Sequence, residues 1–571
     1  MRLLHKKKIK VGFITLIAWC LCLASFDAQS IADSISHAPK QKMVVSAHPL
    51  ATQAGMKILE EGGNAFDAAI AVSAMLGVVE PFGSGIGGGG FWLLYDAQSE
   101  EYRVIDARET APLAATEDMY LDHNGDVIPK ASREGPLAAG IPGQPAAFVS
   151  ISERYGVLPL SESLSSSIQT ARAGFSVDER YLKGVKYKRE MLLQNKEAAS
   201  IFLDHGHVPN KGWVLVQSDL ANTLDMIAKE GRSGFYDGKV AQMMLSGVQS
   251  NGGVWSVEDL LNYDVIDRAP IITEYKGARI IAPPLPSSGG LVLANILNIL
   301  SGYNLEQLNE VERAHITIEA MKHGYHNRAL YMGDSDFVFV PVKNILSEQM
   351  AEKQRKKIDL TKALPSASLP FPISAVPKGT ETTHFSVIDK EGNRVAVTQS
   401  INFWFGSGFV PKGTGVILNN EMDDFTLKPG VENGYGLHGT RANAIAPGKR
   451  MLSSMTPTFV ENEHGVLIVG TPGGSRIITM NLLAILDFMN GKTAQEIISA
   501  PRYHHQFMPD QVIYEAGAFT EEQIVALKQK GHVLKQSKKG YGNMQLIIWD
   551  ARSNSVSAVS DPRGKVAGRV Y

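Results

Sequence analysis

The chain has almost no cysteine: its 571 residues include two, Cys20 and Cys22, both close to the N-terminus. Removal of a leading segment would leave a chain without thiols, which excludes disulfide bonds and thiol chemistry. Low-complexity tracts and blocks of like charge are also missing, so no long disordered arm is predicted. With 44% hydrophobic and 20% charged residues, the composition is typical of a globular protein.

The first residues carry a distinctive pattern. Basic residues within the first ten positions precede an apolar run from Val11 to about Phe26, which is short for a membrane span and has the layout of a secretory signal. Small residues just before position 33 predict cleavage after Ala32, so residues 1–32 are expected to be a signal peptide. An uncleaved membrane anchor is the alternative. The cleaved product would be periplasmic or extracellular.

Charge narrows the class of partner. Loss of residues 1–32 would remove five positive charges and one negative charge, which takes the formal net charge from −2 to −6. A mildly acidic exported protein is a poor candidate for binding nucleic acid or an anionic membrane. We therefore expect a small-molecule or peptide substrate.

Two helices are predicted ahead of a glycine-rich segment. Pro49 suits the first turn of a helix, and apolar residues recur at helical spacing from Ala51 to Glu61, before two glycines end it. Asn64 then caps a second helix, Ala65 to Val79, with Asp67 in its first turn. Because that helix is apolar on nearly every face, we expect it to be buried between layers.

The glycine-rich segment, Gly83 to Gly90, leads into a predicted strand, Phe91 to Tyr95. Nucleotide-binding loops run from strand through glycines to helix, whereas here the order is helix, glycines, strand. A Gly-Lys-Ser/Thr sequence does not follow the glycines. These features argue against a bound nucleotide.

A β-hairpin is predicted around residue 390. Two β-rich runs, Thr383 to Ile388 and Val395 to Ile401, are joined by a short loop that contains glycine. The loop leaves the pairing register open by one residue, and the register decides which side chains face each other.

The two registers place Thr382 differently. A two-residue turn at 391–392 would set Thr382 opposite Ile401, whereas a one-residue slip sets it opposite Ser400. In either register Thr382 begins a strand with Ser400 and Asn402 beside it. Taken alone, this threonine is an ordinary β-branched residue in a strand.

A resemblance changes that interpretation. The stretch Thr382-Thr383-His384-Phe385-Ser386-Val387-Ile388-Asp389 resembles the processing site of the γ-glutamyltransferase family, whose members are N-terminal-nucleophile hydrolases. Other resembling blocks follow the family's order and spacing between about residue 43 and Arg563: Glu60 to Ala65, Gly87 to Phe91, Asp106 to Pro112, Asn419 to Phe425, Leu452 to Pro457 and Gly470 to Arg476.

The resemblance implies a fold and a maturation step. The fold is an α/β four-layer αββα sandwich, two packed sheets covered by helices on both sides. Maturation is self-cleavage, in which the Thr382 hydroxyl attacks the carbonyl of Glu381. Residues 33–381 would become a large subunit and residues 382–571 a small one, held together as a heterodimer by one shared core.

The resemblance also implies the catalytic groups. Cleavage would leave Thr382 with a hydroxyl nucleophile and a free α-amino group, whose ordinary pKa of about 7.7–8.0 suits a base near neutral pH. Gly473 and Gly474 are the implied backbone donors to an oxyanion. Ser400 stands where the family often has a second threonine hydroxyl.

The implied substrate is a small γ-glutamyl compound such as glutathione, whose acyl group passes to water or to an amino acid or peptide. Its α-carboxylate needs a cation and hydroxyls, and its α-ammonium needs carboxylates. The resemblance assigns α-carboxylate binding to Arg108, Ser453 and Ser454, α-ammonium binding to Asn402, Glu421 and Asp424, and a place in a covering lid loop, residues 429–446, to Tyr435.

Neither a cofactor nor a metal is implied. The adjacent His504 and His505 could suggest a metal, but neighbouring residues on a strand point to opposite faces and the sequence offers no third ligand beside them. We interpret this pair as structural.

Three alternatives remain open. Cephalosporin or glutaryl acylases and poly-γ-glutamate depolymerases belong to the same superfamily, and the α-ammonium-binding set and the lid favour a small γ-glutamyl donor over both. An exported binding protein without catalysis is the third, and it would have no need of the Thr382 hydroxyl or of the acids at 421 and 424.

Overall fold

A computed structural model describes residues 38–371 and 382–564 of the chain. The predicted signal peptide, residues 1–32, lies outside the described residues, and so does Glu381, which precedes the expected cleavage point. The fold below is that of the described parts.

Within these residues, two six-stranded antiparallel sheets form the centre of the molecule. The first contains β1 (Met43–Ser46), β2 (Gly89–Asp96), β3 (Glu101–Ala107), β6 (Ile266–Arg268), β9 (Thr383–Ile388) and β10 (Arg394–Ser400), in the spatial order β1-β9-β10-β2-β3-β6. The second contains β7 (Ile271–Tyr275), β8 (Ala278–Ala282), β11 (Thr458–Asn462), β12 (Gly465–Gly470), β16 (Gln545–Asp550) and β17 (Ser555–Ser560), in the order β17-β16-β12-β11-β8-β7.

Short strands form two minor sheets at the periphery: β4 (Phe175–Ser176) with β5 (Val214–Leu215), and β13 (Tyr503–His504) with β14 (Val512–Tyr514) and β15 (Leu534–Gln536).

Helices cover the outer face of each large sheet. Those on the first sheet are α1 (Pro49–Glu60), α2 (Ala65–Val79), α3 (Gln144–Tyr155), α4 (Leu160–Ala173), α5 (Glu179–Leu192), α6 (Lys196–Phe202), α7 (Ser218–Glu230), α8 (Ser233–Tyr236), α9 (Gly238–Ser250) and α10 (Val257–Asn262). The second sheet's side carries α11 (Gly289–Leu300), α12 (Glu310–Tyr331), α13 (Val342–Ile345), α14 (Glu348–Arg355), α15 (Ile477–Met489), α16 (Ala494–Ser499) and α17 (Glu521–Gln529).

The alternation of side chains along the strands builds these layers. In β2, Trp92 and Leu94 pack into the helix layer, whereas Phe91 and Leu93 point into the space between the sheets. Both faces of the strand are therefore buried, which explains its continuous apolar sequence. The expected four-layer αββα sandwich is confirmed.

The helix α2 confirms a sequence prediction in detail. It spans Ala65–Val79, and all of its residues are buried. The Asn64 side chain accepts hydrogen bonds from the first-turn backbone, and the Asp67 carboxylate accepts from the Asn64 N–H, which forms a capping box. The preceding helix begins at Pro49, as predicted.

The glycine run permits close approach of neighbouring backbone. A Cβ on Gly88 would lie 2.0 Å from the carbonyl oxygen of Ser400, and one on Gly87 would lie 2.0 Å from that of Ile417. These glycines therefore serve packing around the end of β10. They also let β2 begin at Gly89, directly opposite Ser400.

The hairpin of β9 and β10 takes the second of the two registers. Thr383 pairs with Gln399, so Thr382 lies opposite Ser400, and the two-residue turn at 391–392 is wrong. The Asp389 side chain gives the reason: its carboxylate accepts from the backbone N–H of Glu391 and Asn393 and lengthens the loop by one residue.

Strands from both sides of residue 382 share each large sheet. In the first sheet β9 lies between β1 and β10, and in the second β11 lies between β8 and β12. A break in the chain before Thr382 would therefore leave both pieces joined by strand hydrogen bonds and by shared core. In the part of the chain that the structure describes, no helix is long and apolar enough to span a bilayer.

A buried ion pair links the two sheets. Arg394 of β10 donates from Nη1 to Oε1 of Glu461 in β11 at 2.6 Å, and the hydroxyl of Tyr102 in β3 donates to the same carboxylate. The Arg394 guanidinium also lies 3.9 Å from the ring centroid of Tyr95. Removal of Glu461 would leave a buried cation without its counter-ion.

We expect Glu461→Ala to destabilise the fold by up to about 3 kcal/mol, the lower end for breaking a buried ion pair. The midpoint of thermal unfolding measures this. Glu463→Ala is the matched control, because its side chain is 76% exposed and its loss should change stability by less than about 0.5 kcal/mol. Equal midpoints for the two variants would contradict a structural role for the pair.

Candidate active site

Thr382 lies immediately before β9, at one end of the first large sheet. It is 4% exposed, and its Oγ1 is 3.5 Å from the Oγ of Ser400. The Ser400 Oγ accepts a hydrogen bond from the backbone N–H of Asn402 at 2.8 Å, which fixes that hydroxyl beside the threonine. The register of the hairpin thus sets two hydroxyls side by side.

The residue after the threonine is also anchored. The Thr383 hydroxyl donates to Oε2 of Glu80 at 3.0 Å, and Oε1 of the same buried carboxylate is paired with Arg180. Glu80 follows helix α2, so this link ties the start of β9 to the helix layer. Sequence reasoning missed Glu80, because a lone acid after an apolar helix carries no signal of its partner.

His384 is the histidine nearest to Thr382 in sequence. It is buried, and its ring nitrogens bond to the hydroxyls of Thr398 and Ser386, away from the threonine. Burial lowers the pKa of His384 to about 3, so the ring is neutral. It is therefore a structural residue and not the base of a nucleophile–base pair.

Asn402 turns the chain away from β10. Its φ of 70° lies in the left-handed region, which asparagine tolerates better than most residues. Its side-chain Nδ2 donates to the carbonyl of Asn420 at 3.0 Å, and its own carbonyl accepts from the Tyr435 hydroxyl at 3.2 Å. The turn thereby connects the hairpin to two other loops.

A buried charge cluster lies beside this turn. Arg108, just after β3, donates from Nη1 to Glu421 Oε2 at 2.6 Å and from Nη2 to Asp424 Oδ2 at 2.5 Å. Its Nε donates to the carbonyl of Met451 at 3.2 Å, and the carboxylate of Glu109 approaches Nη1 at 3.6 Å. One guanidinium therefore faces three carboxylates.

Burial shifts the protonation of this cluster. It raises the pKa of Glu109 to about 7 and that of Glu421 well above the ordinary range, although the Arg108 charge opposes both shifts. Burial alone would lower the pKa of Arg108, but the three carboxylates raise it above its usual value. Among the described residues, Glu421 Oε1 has no hydrogen-bond partner. The cluster is thus suited to receive a further positive charge.

Two serines line the opposite wall. The Ser453 Oγ accepts from the backbone N–H of Met455 at 3.1 Å, and the Ser454 Oγ accepts from Nη2 of Arg328 at 3.3 Å. A hydroxyl that accepts an N–H bond still has its own proton to donate. Both serines can therefore donate a hydrogen bond to an anionic group. Arg328 was not expected from the sequence.

Gly473 and Gly474 follow β12. Their φ angles of 145° and 56° favour glycine, and a Cβ on Gly474 would lie 2.3 Å from Cδ1 of Tyr435. The tyrosine ring therefore lies directly against the Gly474 backbone. A 3₁₀ turn, Gly474–Arg476, then leads into α15.

The loop predicted as a lid, residues 429–446, covers this region. The Tyr435 ring stacks on Phe403 with centroids 4.8 Å apart, and the Gly436 carbonyl accepts from Nε2 of Gln506 at 2.8 Å. The Gly434 N–H donates to Asp423. Several separate contacts hold the loop down.

Together these groups line one small cavity of about 20 Å³, room for about one water molecule. An organic substrate therefore needs more space than this arrangement of the lining side chains leaves. The lining residues are Arg108, Arg328, Thr382, Ser400, Asn402, Glu421, Asp424, Tyr435, Leu437, Ser453, Ser454, Met455, Gly474 and Ile477. The structure thus brings the expected site residues together, with Gly473 next to the lining and Glu381 outside the described residues.

The histidines elsewhere have other partners. His504 bonds to Thr479 and His505 to Asp510, so the adjacent pair does not converge.

A second group, His315, Glu319 and His532, brings ligand atoms within 4.8 Å of one another. The two rings bond each other at 2.7 Å, and Glu319 is paired with the buried ammonium of Lys322. We interpret this group as a hydrogen-bonded network, because that ammonium disfavours a second cation.

Sequence relatives agree with this geometry. The family described as gamma-glutamyltranspeptidase matches residues 51–571. The chain is 40% identical over 529 residues to a glutathione hydrolase proenzyme of Escherichia coli (strain K12), which covers 92% of this chain and 90% of the relative. It is 37% identical over 541 residues to a glutathione hydrolase proenzyme of Bacillus subtilis (strain 168), with 91% and 90% covered.

Solved structures agree as well. A cephalosporin acylase from Bacillus halodurans superimposes with a TM-score of 0.80 at 28% identity, covering 94% of this chain and 96% of the other. The gamma-glutamyltranspeptidase of Helicobacter pylori gives a TM-score of 0.56 at 40% identity, covering 57% of this chain and 94% of that chain. With the family match across most of the sequence, these similarities show that the chain belongs to the γ-glutamyltranspeptidase family.

Proposed function

We propose that the protein is an exported, self-cleaving γ-glutamyltransferase and glutathione hydrolase. The observation that carries this proposal is the cavity itself. A threonine hydroxyl at a potential new N-terminus shares it with a buried guanidinium, a pair of serines and a set of buried carboxylates. Such a site matches a donor that carries a carboxylate and an ammonium next to the scissile amide.

Maturation would begin with Thr382. Its hydroxyl attacks the carbonyl of Glu381, the peptide bond becomes an ester, and water hydrolyses the ester. The products are a large subunit, residues 33–381 after loss of the leader, and a small subunit, residues 382–571. Each large sheet contains strands of both pieces, which supports a heterodimer that stays together.

Turnover would reuse the same hydroxyl. The new α-amino group of Thr382 takes the hydroxyl proton, the oxygen attacks the γ-glutamyl amide, and the amine of the substrate leaves. Backbone N–H groups of Gly473 and Gly474 would hold the oxyanion, where loss of one donor typically costs about 3–4 kcal/mol. Ser400 supports the nucleophile from 3.5 Å. Water or an amino acid or peptide amine then accepts the acyl group.

Binding would insert a zwitterion into the charge cluster. The α-carboxylate meets Arg108 and the hydroxyls of Ser453 and Ser454, while the α-ammonium meets the carboxylates of Glu421 and Asp424, with Asn402 beside them. The direct contacts of Arg108 with both acids support this arrangement, because they place a cation and carboxylates side by side. The donor likewise carries its α-carboxylate and α-ammonium side by side. Tyr435 would close over the bound group.

An acylase acting on cephalosporin side chains or glutaryl amides is the second candidate, supported by the similarity to a cephalosporin acylase. A glutaryl group lacks the α-ammonium, so its binding would leave the buried acids without the added cation. The lid loop likewise favours small γ-glutamyl donors, glutathione among them, over poly-γ-glutamate. The basic and apolar N-terminal segment supports export to the periplasm or the medium.

Replacement of the nucleophile tests the first step. Thr382→Ala should abolish both self-cleavage and turnover, because it removes the hydroxyl that serves both. A denaturing gel of the purified wild type should show two bands and that of the variant one. Thr382→Ser is the matched control: it keeps the hydroxyl and should still cleave, more slowly. Residual γ-glutamyl transfer by the alanine variant would point to another nucleophile.

The guanidinium fork can be tested separately. Arg108→Lys should raise KM for γ-glutamyl donors, because an ammonium cannot span Glu421 and Asp424 as the fork does. Steady-state kinetics on the self-cleaved enzyme measure this change in KM. Arg103→Lys is the control, because that side chain lies in the same strand region but is 41% exposed. An unchanged KM in Arg108→Lys would remove this residue from the binding site.

A matched donor pair decides between the two candidate activities. We expect the γ-glutamyl anilide to exceed the glutaryl anilide in kcat/KM by about 10- to 100-fold, the contribution of hydrogen bonds to a charged group. Asp424→Asn should lower the ratio of kcat/KM between the γ-glutamyl and the glutaryl anilide, because it removes a carboxylate that meets the α-ammonium. In the same assay, glutathione should have a higher kcat/KM than poly-γ-glutamate. Equal or faster cleavage of the glutaryl compound would favour the acylase.

A further inference from the structure

A second buried guanidinium lines the cavity, that of Arg328 near the end of α12. We propose that Arg328 determines donor specificity, as the second cation of the α-carboxylate end and as the residue that sets the Ser454 hydroxyl. This inference rests on the proposed γ-glutamyl function and adds to it a residue that the resemblance did not supply.

The contacts of Arg328 are unusual for a buried arginine. The residue is 5% exposed, and its Nε donates to the Ser288 hydroxyl at 2.9 Å while Nη2 donates to the Ser454 hydroxyl at 3.3 Å. Within residues 38–371 and 382–564, no carboxylate forms an ion pair with it at 4.0 Å or less. Buried charges are normally paired, because leaving water without a counter-charge is costly.

The pKa of the Arg328 guanidinium agrees with these contacts. Burial lowers the pKa of Arg328 to about 10; Tyr325 and the more distant Asp424 carboxylate oppose that shift, and the charge of Arg108 adds to it. The guanidinium is still positive near neutral pH. An anion placed in the cavity would supply the counter-charge that hydroxyls alone cannot.

Arg108 and Arg328 therefore have different roles in binding the donor. Arg108 already faces Glu421 and Asp424 directly, so its positive charge is largely offset before a donor arrives. Among the described residues, the side-chain hydrogen bonds of Arg328 go to neutral hydroxyls, and its guanidinium contributes positive potential that a carboxylate can use. The carboxylate end of the site thus depends on both residues, with Arg108 shared between the two ends of the donor.

Arg328 also fixes the serines. The Ser288 hydroxyl that accepts from its Nε donates to the Ser453 carbonyl at 2.6 Å, and the Ser288 N–H donates to the same oxygen at 2.8 Å. Since the Ser454 Oγ accepts from the guanidinium, its own proton is directed elsewhere, toward the cavity that it lines. Arg328 is in this respect a positioning residue.

A purely structural role would give a different response. If Arg328 only supported the loop that carries Ser453 and Ser454, its loss would slow every donor alike. If it recognises the carboxylate, its loss would penalise only donors that possess one. Two donors with the same leaving group separate these cases: a γ-glutamyl anilide, and a 4-aminobutyryl anilide that keeps the amine but lacks the α-carboxylate.

The test uses the full self-cleaved enzyme with Arg328→Gln and Arg328→Lys. We expect Arg328→Gln to lower the ratio of kcat/KM between the two donors by about 10- to 100-fold, chiefly through KM for the γ-glutamyl anilide. Arg328→Lys should recover part of that loss. The matched control is Arg313→Gln on the same helix, whose guanidinium bonds the carbonyls of Leu305 and Leu308 and which should leave the ratio unchanged.

Self-cleavage reports folding in each variant, because maturation needs no bound donor. If Arg328→Gln does not mature, the test rests on Arg328→Lys. A ratio of kcat/KM between the two donors that equals the wild-type ratio in that variant overturns the proposal. Parallel loss on both donors in a matured variant overturns it too. Failure of the wild type to cleave the γ-glutamyl anilide would instead contradict the proposed function, so the two ideas fail by different results.

Discussion

The active-site geometry depends on the register of one hairpin. Because Asp389 closes a loop one residue longer than a tight turn, β10 meets β9 with Ser400 opposite Thr382. A shift of one residue would send every side chain of the strand to the other face. It would move Thr382 away from its neighbouring hydroxyl and from the cavity. The glycine run around Gly88 fits this register, since only glycine leaves room for the Ser400 carbonyl.

Charge is the second constraint. The cavity holds two buried guanidiniums in different states, one surrounded by carboxylates and one bonded to hydroxyls. A buried site with fixed charges of both signs discriminates strongly, because a ligand that lacks one charge leaves a buried group unsatisfied. Loop movement over Tyr435 would then expose these groups to a donor and enclose it afterwards.

Much of this could be predicted from the sequence. The limits of α2 follow from Asn64 and an unbroken apolar run, and β9 follows from alternating β-rich residues. The four layers and most cavity residues followed from the resemblance, since Arg108 and Glu421 are 313 positions apart and no local pattern joins them. The register did not follow, because it depends on one side chain in the loop. Arg328 and Glu80 did not follow either, because their partners come from distant segments.

The central claim is that Thr382 carries the acyl group during turnover. The most direct measurement is mass spectrometry of the enzyme quenched with acid during steady-state turnover of a γ-glutamyl donor. The account predicts a γ-glutamyl adduct on the peptide that begins at Thr382, lost when the enzyme is left to hydrolyse it. An adduct on another residue, or a small subunit that begins elsewhere, would contradict the account.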